Sequence, residues 1–378
     1  MIGPRQAVFM PNLPQTSPLT VRAVRATPVE VPLNFVLGTS ADAFRAAPLL
    51  LIDLETEEGV TGRSYVFCYL RAAAPAIISL LGEVERVTKG HAVVPSELWA
   101  KLAKRFTLIG VQGIVRMAMA GFDTASWDAL AIAASLPLST FIGANPRSIP
   151  AYNSCGLGLT GDLGALADEA QKLLQGGFRA VKLRLGYPTL QADIAALHAV
   201  RKRIGNSVAL MVDYNQALST EEALSRGRAL DAENVYWLEE PIRHDDYAGA
   251  ARLARELKVP VQIGENFSLP AAMRGAIEQH AADYVMPDLE RIGGVTGWRE
   301  AADIAQSHGI KMSSHLFPEV SAHLLAATPT CHYLEYVDWA NVLLEEPLAI
   351  ADGQALVPSR PGNGMVWDKS AVERYRMR

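Results

Sequence analysis

The 378-residue chain is long enough for one large domain with a smaller companion, or for two comparable domains. Apolar residues make up 49% and charged residues 20%, an ordinary globular balance, and a net charge of −5 excludes the basic field that nucleic-acid binding requires. No apolar run reaches membrane-spanning length, which argues against a membrane role, and Cys68, Cys155 and Cys331 are too scattered for a CxxC site or a disulfide framework, so a reducing cytoplasm is the expected setting.

Residues 1–20 mix Pro with polar residues, lack the continuous apolar core of a signal peptide, and read as a flexible lead-in. From Val21 to Tyr69 the pattern is β-like: "VRAVRATPVEVPL" alternates, and "PLLLIDLETEEGVTGRSYVFCY" reads as a hairpin turning at "EEG". Between them, residues 34–48 read as a long loop of the kind that serves as a lid. Residues 71–143 turn helical, with Ser96 as the N-cap of "SELWAKLAKRF" and a long helix over "GIVRMAMAGFDTASWDALAIAASL". Residues 21–148 thus form an α+β unit.

From about Pro150 short β-like runs alternate with amphipathic helical stretches, which implies a parallel sheet with crossover helices. The runs are "FRAVKLRLG", "VALMVDYNQ", "VYWLEEP", "VPVQIGEN", "ADYVMPDLE", "IKMSSHLF" and "HYLEYV", and an opening "IPAYNSC" brings the set to the eight of a (β/α)8 barrel over residues 149–345. An open doubly wound sheet is the weaker alternative, because no glycine-rich phosphate loop follows the first strand. Residues 346–378 are expected to return to the N-terminal unit.

Ionisable groups recur at one place in these units, the strand's end: Lys182 and Arg184, Asp213 and Asn215, Glu239 and Glu240, Glu265, Asp288, His315, Glu335. In a barrel these ends converge on the face that carries the active site. One acid after a strand is ordinarily a helix N-cap, but capping does not explain a series that spans consecutive strands. Asp213, Glu239 and Glu265 end three neighbouring strands, about 5 Å apart each, and would repel one another without a bridging cation. An all-oxygen set favours a hard ion, Mg2+ before zinc or copper, with Mn2+ as a substitute. Asp288 beside His315 is the arrangement in which a carboxylate orients an imidazole and raises its basicity. His323 and His332 read as structural, and a protonated Glu335 would donate a hydrogen bond to a developing oxyanion.

The segments "FRAVKLRLGYP", "MVDYNQ", "WLEEP", "VPVQIGEN", "MPDLERIGGVTGW" and "MSSHLFPEVSAHLLAATPTCHYLE" together resemble the mandelate racemase branch of the enolase superfamily. That resemblance implies residues 21–148 as a capping domain, with a lid loop at 34–48, over a modified barrel. It implies Asp213, Glu239 and Glu265 as Mg2+ ligands and Lys182 as the cation facing a substrate carboxylate. It also implies His315 with Asp288 as a general base, and Glu335 as the acid that bonds the enolate. The shared chemistry is removal of a proton α to a carboxylate. By the same resemblance Leu37, Ala41 and Phe44 line the substrate pocket, with Tyr69, Leu316 and Val337, and Asn215 and Ser154 complete the substrate-binding set. These residues are mostly apolar and favour an apolar or aromatic 2-hydroxy acid, although Asp42 and Arg45 suit a more polar one. A small-molecule carboxylate is the expected partner, and a homo-oligomer the expected assembly.

The departure from the family pattern is Arg184, where the family carries a second lysine as the base opposite the histidine. An arginine starts above pKa 12, and bringing it to neutrality would cost about 7.5 kcal/mol at roughly 1.36 kcal/mol per unit. It suits a bidentate anchor for an anion, or a bridge to a barrel carboxylate. Racemisation of an apolar 2-hydroxy acid is the first expectation. One-base dehydration of an acid sugar or other 2,3-dihydroxy acid is the second, and a non-catalytic binding protein the remote third.

Overall fold

The computed structural model describes residues 18–40 and 43–378. Most of the expected lead-in, together with Ala41 and Asp42, lies outside the described residues.

Strand β1 (Val21–Gly38) pairs antiparallel with β2 (Ala43–Thr56), which pairs antiparallel with β3 (Thr61–Phe67). The run "LLLI" of β2 is buried on both faces. Leu49 and Leu51 pack toward the barrel, while Leu50 and Ile52 pack under helices α1 (Ala73–Thr88), α2 (Pro95–Arg105) and α3 (Gly113–Ala133). Period-2 alternation therefore feeds two cores at once. Two local expectations are corrected. The N-cap of α2 is Val94, because Pro95 takes the first helical turn, where its missing N–H costs nothing. The expected loop at 34–48 is largely strand among its described residues: β1 runs to Gly38 and β2 starts at Ala43, with a register shift between Pro32 and Leu37 and pairing resumed at Leu37 with Phe44 and Gly38 with Ala43.

This hairpin lies on the barrel. Leu159 N donates to Gly38 O at 2.9 Å, and Ser40 Oγ donates to Asn215 O at 2.9 Å. A Cβ on Gly158 would sit 2.3 Å from Gly38 N, so only glycine permits the approach.

After the short helix α4 (Leu138–Phe141) the chain enters the alternating units. They run β4 (Ser148–Asn153), α5 (Leu163–Leu173), β5 (Ala180–Arg184), α6 (Leu190–Ile204), β6 (Ala209–Asp213), α7 (Thr220–Leu230), β7 (Leu238–Glu239), α8 (Tyr247–Glu256) and β8 (Val261–Ile263). They continue through α9 (Leu269–Glu278), β9 (Tyr284–Val285), α10 (Leu289–Ile292), α11 (Gly294–His308), β10 (Lys311–Met312), α12 (Pro318–Ala326) and β11 (Leu334–Tyr336). Asp162, Thr189, Ser219 and Asp246 each cap the following helix through their side chains, which marks where strand gives way to helix. Strands β4 to β10 pair in order, all parallel, and β11 pairs parallel with β4. A parallel bridge between Met312 and Cys331 links β10 to the approach to β11 and closes the ring.

The tail divides between the two units rather than returning wholly to the first. Strands β12 (Ile350–Ala351) and β13 (Gln354–Leu356) join the barrel, β13 running antiparallel to the start of β4. Helix α13 (Lys369–Tyr375) lies on the N-terminal sheet, where Arg376 bridges Val29 and Trp367 Nε1 donates to Asp53 Oδ1 at 2.9 Å. Inside the barrel, Tyr152, Met211 and Trp237 form an apolar plug rimmed by Tyr236, Tyr284 and Tyr333. The ionisable groups sit above this plug, at the strand ends.

Candidate active site

Lys182 is on the central part of β5 and only 1% exposed, so its charge must be met inside the protein. Its Nζ bonds Glu239 Oε1 and lies 2.8 Å from Glu335 Oε1 and 3.4 Å from Asp213 Oδ2. Burial opposes the ammonium, but Glu239, Glu335 and Asp213 outweigh it and raise its pKa above the lysine range. The same crowding acts on the acids. Burial pushes Glu239 well above the carboxylate range, and Asp213, Glu335 and Glu265 add repulsion that Lys182 does not cancel. Ligand oxygens of Asp213, Glu239 and Glu265 all lie within 4.8 Å of one another. Each is oriented from behind: Asn215 N donates to Asp213, Trp237 Nε1 to Glu239, and Asn266 Nδ2 to Glu265.

Across the mouth, His315 Nδ1 is 2.7 Å from Asp288 Oδ2, and Nε2 is 3.3 Å from Glu265 Oε2. Burial would lower the imidazole pKa, but Glu265, Glu335 and Asp288 reverse the effect and hold it up at about 9. Asp288 is itself fixed by the Glu290 and Arg291 amides at the start of α10. Glu335 accepts from Leu316 N at 2.9 Å; burial raises its pKa, yet Lys182, His315 and Arg184 bring it below the carboxylate range. Its other oxygen faces Lys182 Nζ at 2.8 Å. Glu240 turns away from the mouth, accepting from Asn266 Nδ2 at 2.7 Å; burial and Glu265 push it up to about 8.

Arg184 ends β5 and is 5% exposed. Its Nη1 donates to Ser154 O at 3.1 Å and Gly156 O at 2.7 Å, and its Nη2 donates to Ser154 Oγ at 2.8 Å. None of these partners is a carboxylate. Ser154, expected in the substrate-binding set, is instead fully buried and holds Arg184.

The cavity over these groups is lined by Leu37, Phe44, Tyr69, Asn215, Leu316 and Val337, and also by Thr39, Phe67 and Trp339. The last three were missed in the sequence, although parity pointed to two of them: Phe67 is two residues before Tyr69, and Trp339 continues the alternation of Glu335 and Val337. Phe67 packs on Tyr69, Trp339 and Phe44 at centroid distances of 4.3, 4.9 and 6.1 Å, making one aromatic wall. Left-handed backbone at Tyr69, Asn215, Gln216, Leu316 and Phe317 rings the mouth, the kind of local strain that clusters at working sites. Larger surface grooves, one between Asn34 and Lys172 and one between Asp53 and Trp367, lie away from this cluster.

Residues 165–371 match the enolase C-terminal domain-like family, and residues 20–143 match the mandelate racemase / muconate lactonizing enzyme N-terminal domain. The chain belongs to the mandelate racemase / muconate lactonizing enzyme family of the enolase superfamily. An enolase from alpha proteobacterium BAL199 with bound Mg superposes with a TM-score of 0.93 at 42% identity, covering 95% of this chain and all of that one. A Bradyrhizobium enolase complexed with magnesium and mandelic acid gives 0.90 at 37% identity, over 96% of this chain and all of that one. The L-talarate/galactarate dehydratase of Salmonella typhimurium is 34% identical over 73% of this chain and 69% of its own. Mandelate-racemase-like members and acid-sugar dehydratases therefore both stand among the relatives of this enzyme. Among the described residues, no helix is long and apolar enough to cross a membrane.

Proposed function

We propose that the enzyme is Mg2+-dependent and removes the α-proton of a 2-hydroxycarboxylate, with His315 as its single base. The observation that carries this reading is the His315 ring, held from behind by Asp288 at 2.7 Å with Nε2 turned to the carboxylate trio, 3.3 Å from Glu265 Oε2. The trio suits a hard divalent ion: it is all oxygen and crowded, with Lys182 beside Asp213 and Glu239 and the His315 ring beside Glu265. Mg2+ bound by Asp213, Glu239 and Glu265 supplies Lewis-acid stabilisation of the charge that grows on the substrate carboxylate. Bound Mg in the BAL199 and Bradyrhizobium neighbours supports this assignment. Lys182, already held as a cation, faces the same carboxylate and adds electrostatic stabilisation.

Arg184 occupies the place of a second base, but both its terminal nitrogens donate to Ser154 and Gly156. A single base returns a proton to the face it left, so inversion at C2 has no carrier. Elimination needs only one: His315 takes the C2 proton, the C3–O bond breaks, and the imidazolium gives that proton to the departing hydroxyl. The enol left behind tautomerises to a 2-keto acid. Dehydration of a 2,3-dihydroxy acid is thus the reading the geometry supports best, and the Salmonella relative is a dehydratase. Racemisation of an aromatic 2-hydroxy acid is the second reading, favoured by the aromatic wall and by mandelic acid in the Bradyrhizobium neighbour.

Incubation of aryl, alkyl and sugar 2-hydroxy acids with enzyme and Mg2+ in D2O tests this. A 2-keto product with deuterium exchange on one face supports dehydration. Deuterium entering on both faces selects racemisation instead. No exchange with any of the acids overturns both.

A further inference from the structure

The side chain of Arg291, on α10, takes no part in the chemistry described above, yet it joins two groups that border it. Its backbone N donates to Asp288 Oδ1 at 3.1 Å, which fixes where the side chain starts. From there the guanidinium reaches two ways. Nη1 donates to Asn266 Oδ1, and the guanidinium carbon stands 4.8 Å from the centre of the Tyr69 ring. Asn266 follows Glu265 in the chain, whereas Tyr69 comes from the N-terminal unit and lines the cavity. Burial opposes the charge of Arg291, but Tyr69, Asp288, Glu265 and Glu290 outweigh it and raise its pKa. A permanent cation thus stands between the capping unit and a carboxylate of the trio.

The Asn266 amide is the link. Its Nδ2 donates to Glu240 Oε2 at 2.7 Å and to Glu265 Oε1 at 3.3 Å, and its oxygen faces a guanidinium that can only donate. Acids on one side and a fixed donor on the other leave the amide one orientation. The bond to Glu240 is the shorter of the two, so an amide released from Arg291 swings toward Glu240, and Glu265 loses its donor. The Tyr69 end is under constraint as well. Its φ of 59° is left-handed, a conformation that a bulky residue keeps only when its surroundings hold it. An arginine serves both ends at once, because its plane lies against a ring while its edge donates; a lysine offers a point charge without the plane.

We propose that Arg291 is a positioning residue that couples Tyr69 of the capping unit to the metal ligand Glu265 through Asn266, so that the affinity of the site for Mg2+ depends on how the capping unit sits on the barrel. The coupling runs both ways, since two groups that hold one guanidinium hold each other. This inference rests on the proposed reading of Glu265 as a Mg2+ ligand, and its test separates the two.

The probe is Mg2+ alone, titrated calorimetrically into the full chain, with urea unfolding of each metal-free variant to show that it is folded. Arg291→Met is expected to weaken Mg2+ binding by about tenfold, the scale on which groups behind a metal ligand act. A guanidinium that acted only through its charge would oppose the metal, so its removal would tighten binding instead. A loss of stability without a change in affinity would show a merely structural residue. Tyr69→Leu removes the ring from a residue that is not a metal ligand and is expected to weaken binding by about threefold. Added to Arg291→Met, it is expected to cost nothing further, because its path to Glu265 is already cut. Arg291→Lys keeps the charge and is expected to remain at least about threefold weaker than wild type; should Arg291→Met fail to fold, this variant and Tyr69→Leu carry the test. Full affinity in Arg291→Lys overturns the inference, as does tighter or unchanged binding in Arg291→Met, or losses that add in the double variant. A wild-type enzyme that binds no Mg2+ sinks the reading of the trio and the inference with it, whereas wild-type binding that these substitutions leave unmoved sinks the inference alone.

Discussion

Two buried clusters on the same barrel pair a cation with carboxylates, and they differ in how completely the pairing is done. On the flank, Asp193 is fully buried and accepts from Gly186 N, Tyr187 N, Tyr214 OH and Arg226 Nη1, at 3.0, 2.9, 2.9 and 2.5 Å. Arg226 also donates to Tyr187 O and Glu222. At the mouth, Lys182 faces Asp213, Glu239 and Glu335 alone, Glu265 adds a fourth acid, and donors on Arg184 and Trp339 go unmet. A closed account of hydrogen bonds marks a cluster built for stability. An open one, with acids in excess and donors unspent, marks a cluster completed by ligands. Equivalent substitutions should therefore cost activity in one place and stability in the other.

The largest effect is expected at His315. His315→Asn removes the base while keeping a group able to bond Asp288, and C2 deuterium exchange should fall by about a thousandfold or more, with the melting temperature little changed. Exchange within tenfold of wild type would mean that another group takes the proton.

On the flank, Asp193→Asn leaves the Arg226 charge buried without its anion and should destabilise the fold by about 3 kcal/mol, measured by urea unfolding. Glu265→Gln makes the same chemical change at the mouth with the opposite result. It relieves repulsion among the trio, so the metal-free protein should unfold no more easily than wild type. The variant should instead lose the stabilisation that Mg2+ confers, about 2.7 kcal/mol at a hundredfold excess over Kd. Equal destabilisation by both substitutions would erase the distinction between the two clusters.

A smaller effect separates pH from catalysis. Glu319 is fully buried under the N-terminal sheet, where it accepts from Tyr65 OH at 2.7 Å, and burial pushes its pKa up to about 7. A carboxyl raised in the folded state holds its proton more tightly than in the unfolded chain. Its stabilising effect is complete below the unfolded value near 4.3 and is lost as pH rises to about 7. The loss is at most about 1.4 kcal/mol per pH unit across that window. Glu319→Gln should flatten this part of the curve, so that its stability relative to wild type improves between pH 5 and pH 8. A constant difference across that range would show that Glu319 does not titrate there.

Much of this was legible because strand periodicity and position carry it. Lys182 and Arg184 share parity, and each ionisable group ends a run of apolar residues, so the convergence of Asp213, Glu239, Glu265, Asp288, His315 and Glu335 follows once the units are counted. The separation of His315 from His323 was legible too. His323 is flanked by helical apolar residues, and in the fold it takes Ser139 N at 3.2 Å while burial pushes its pKa down to about 4. What was not legible depends on contacts between distant segments. The hairpin at 34–48 reads as loop because its strands are irregular and its order comes from Leu159 and Asn215 of the barrel. Ser154 reads as a ligand-binding residue because nothing local reveals that Arg184 consumes it. Trp339 was overlooked because it lies beyond the strand whose alternation it extends.

The finest distinction lies within the mouth itself, between its two cations. Lys182 is surrounded by acids, whereas Arg184 is surrounded by carbonyls and a hydroxyl. Arg184→Lys restores the residue pattern of a two-base site without restoring its surroundings. Ser154 O and Gly156 O would still accept from the new ammonium and keep it charged, against the pull of Lys182 and Mg2+ toward a neutral amine. Deuterium entry on the face opposite His315 is therefore expected to stay below about a tenth of the rate on the His315 face, while affinity for the substrate falls by a few-fold as donors are lost. Equal entry on both faces would show that Arg184 stands where a base belongs and that the carbonyls do not decide its charge. Both cations would then belong to the reaction, and the contrast between an acid-lined Lys182 and a carbonyl-lined Arg184 would cease to separate chemistry from recognition.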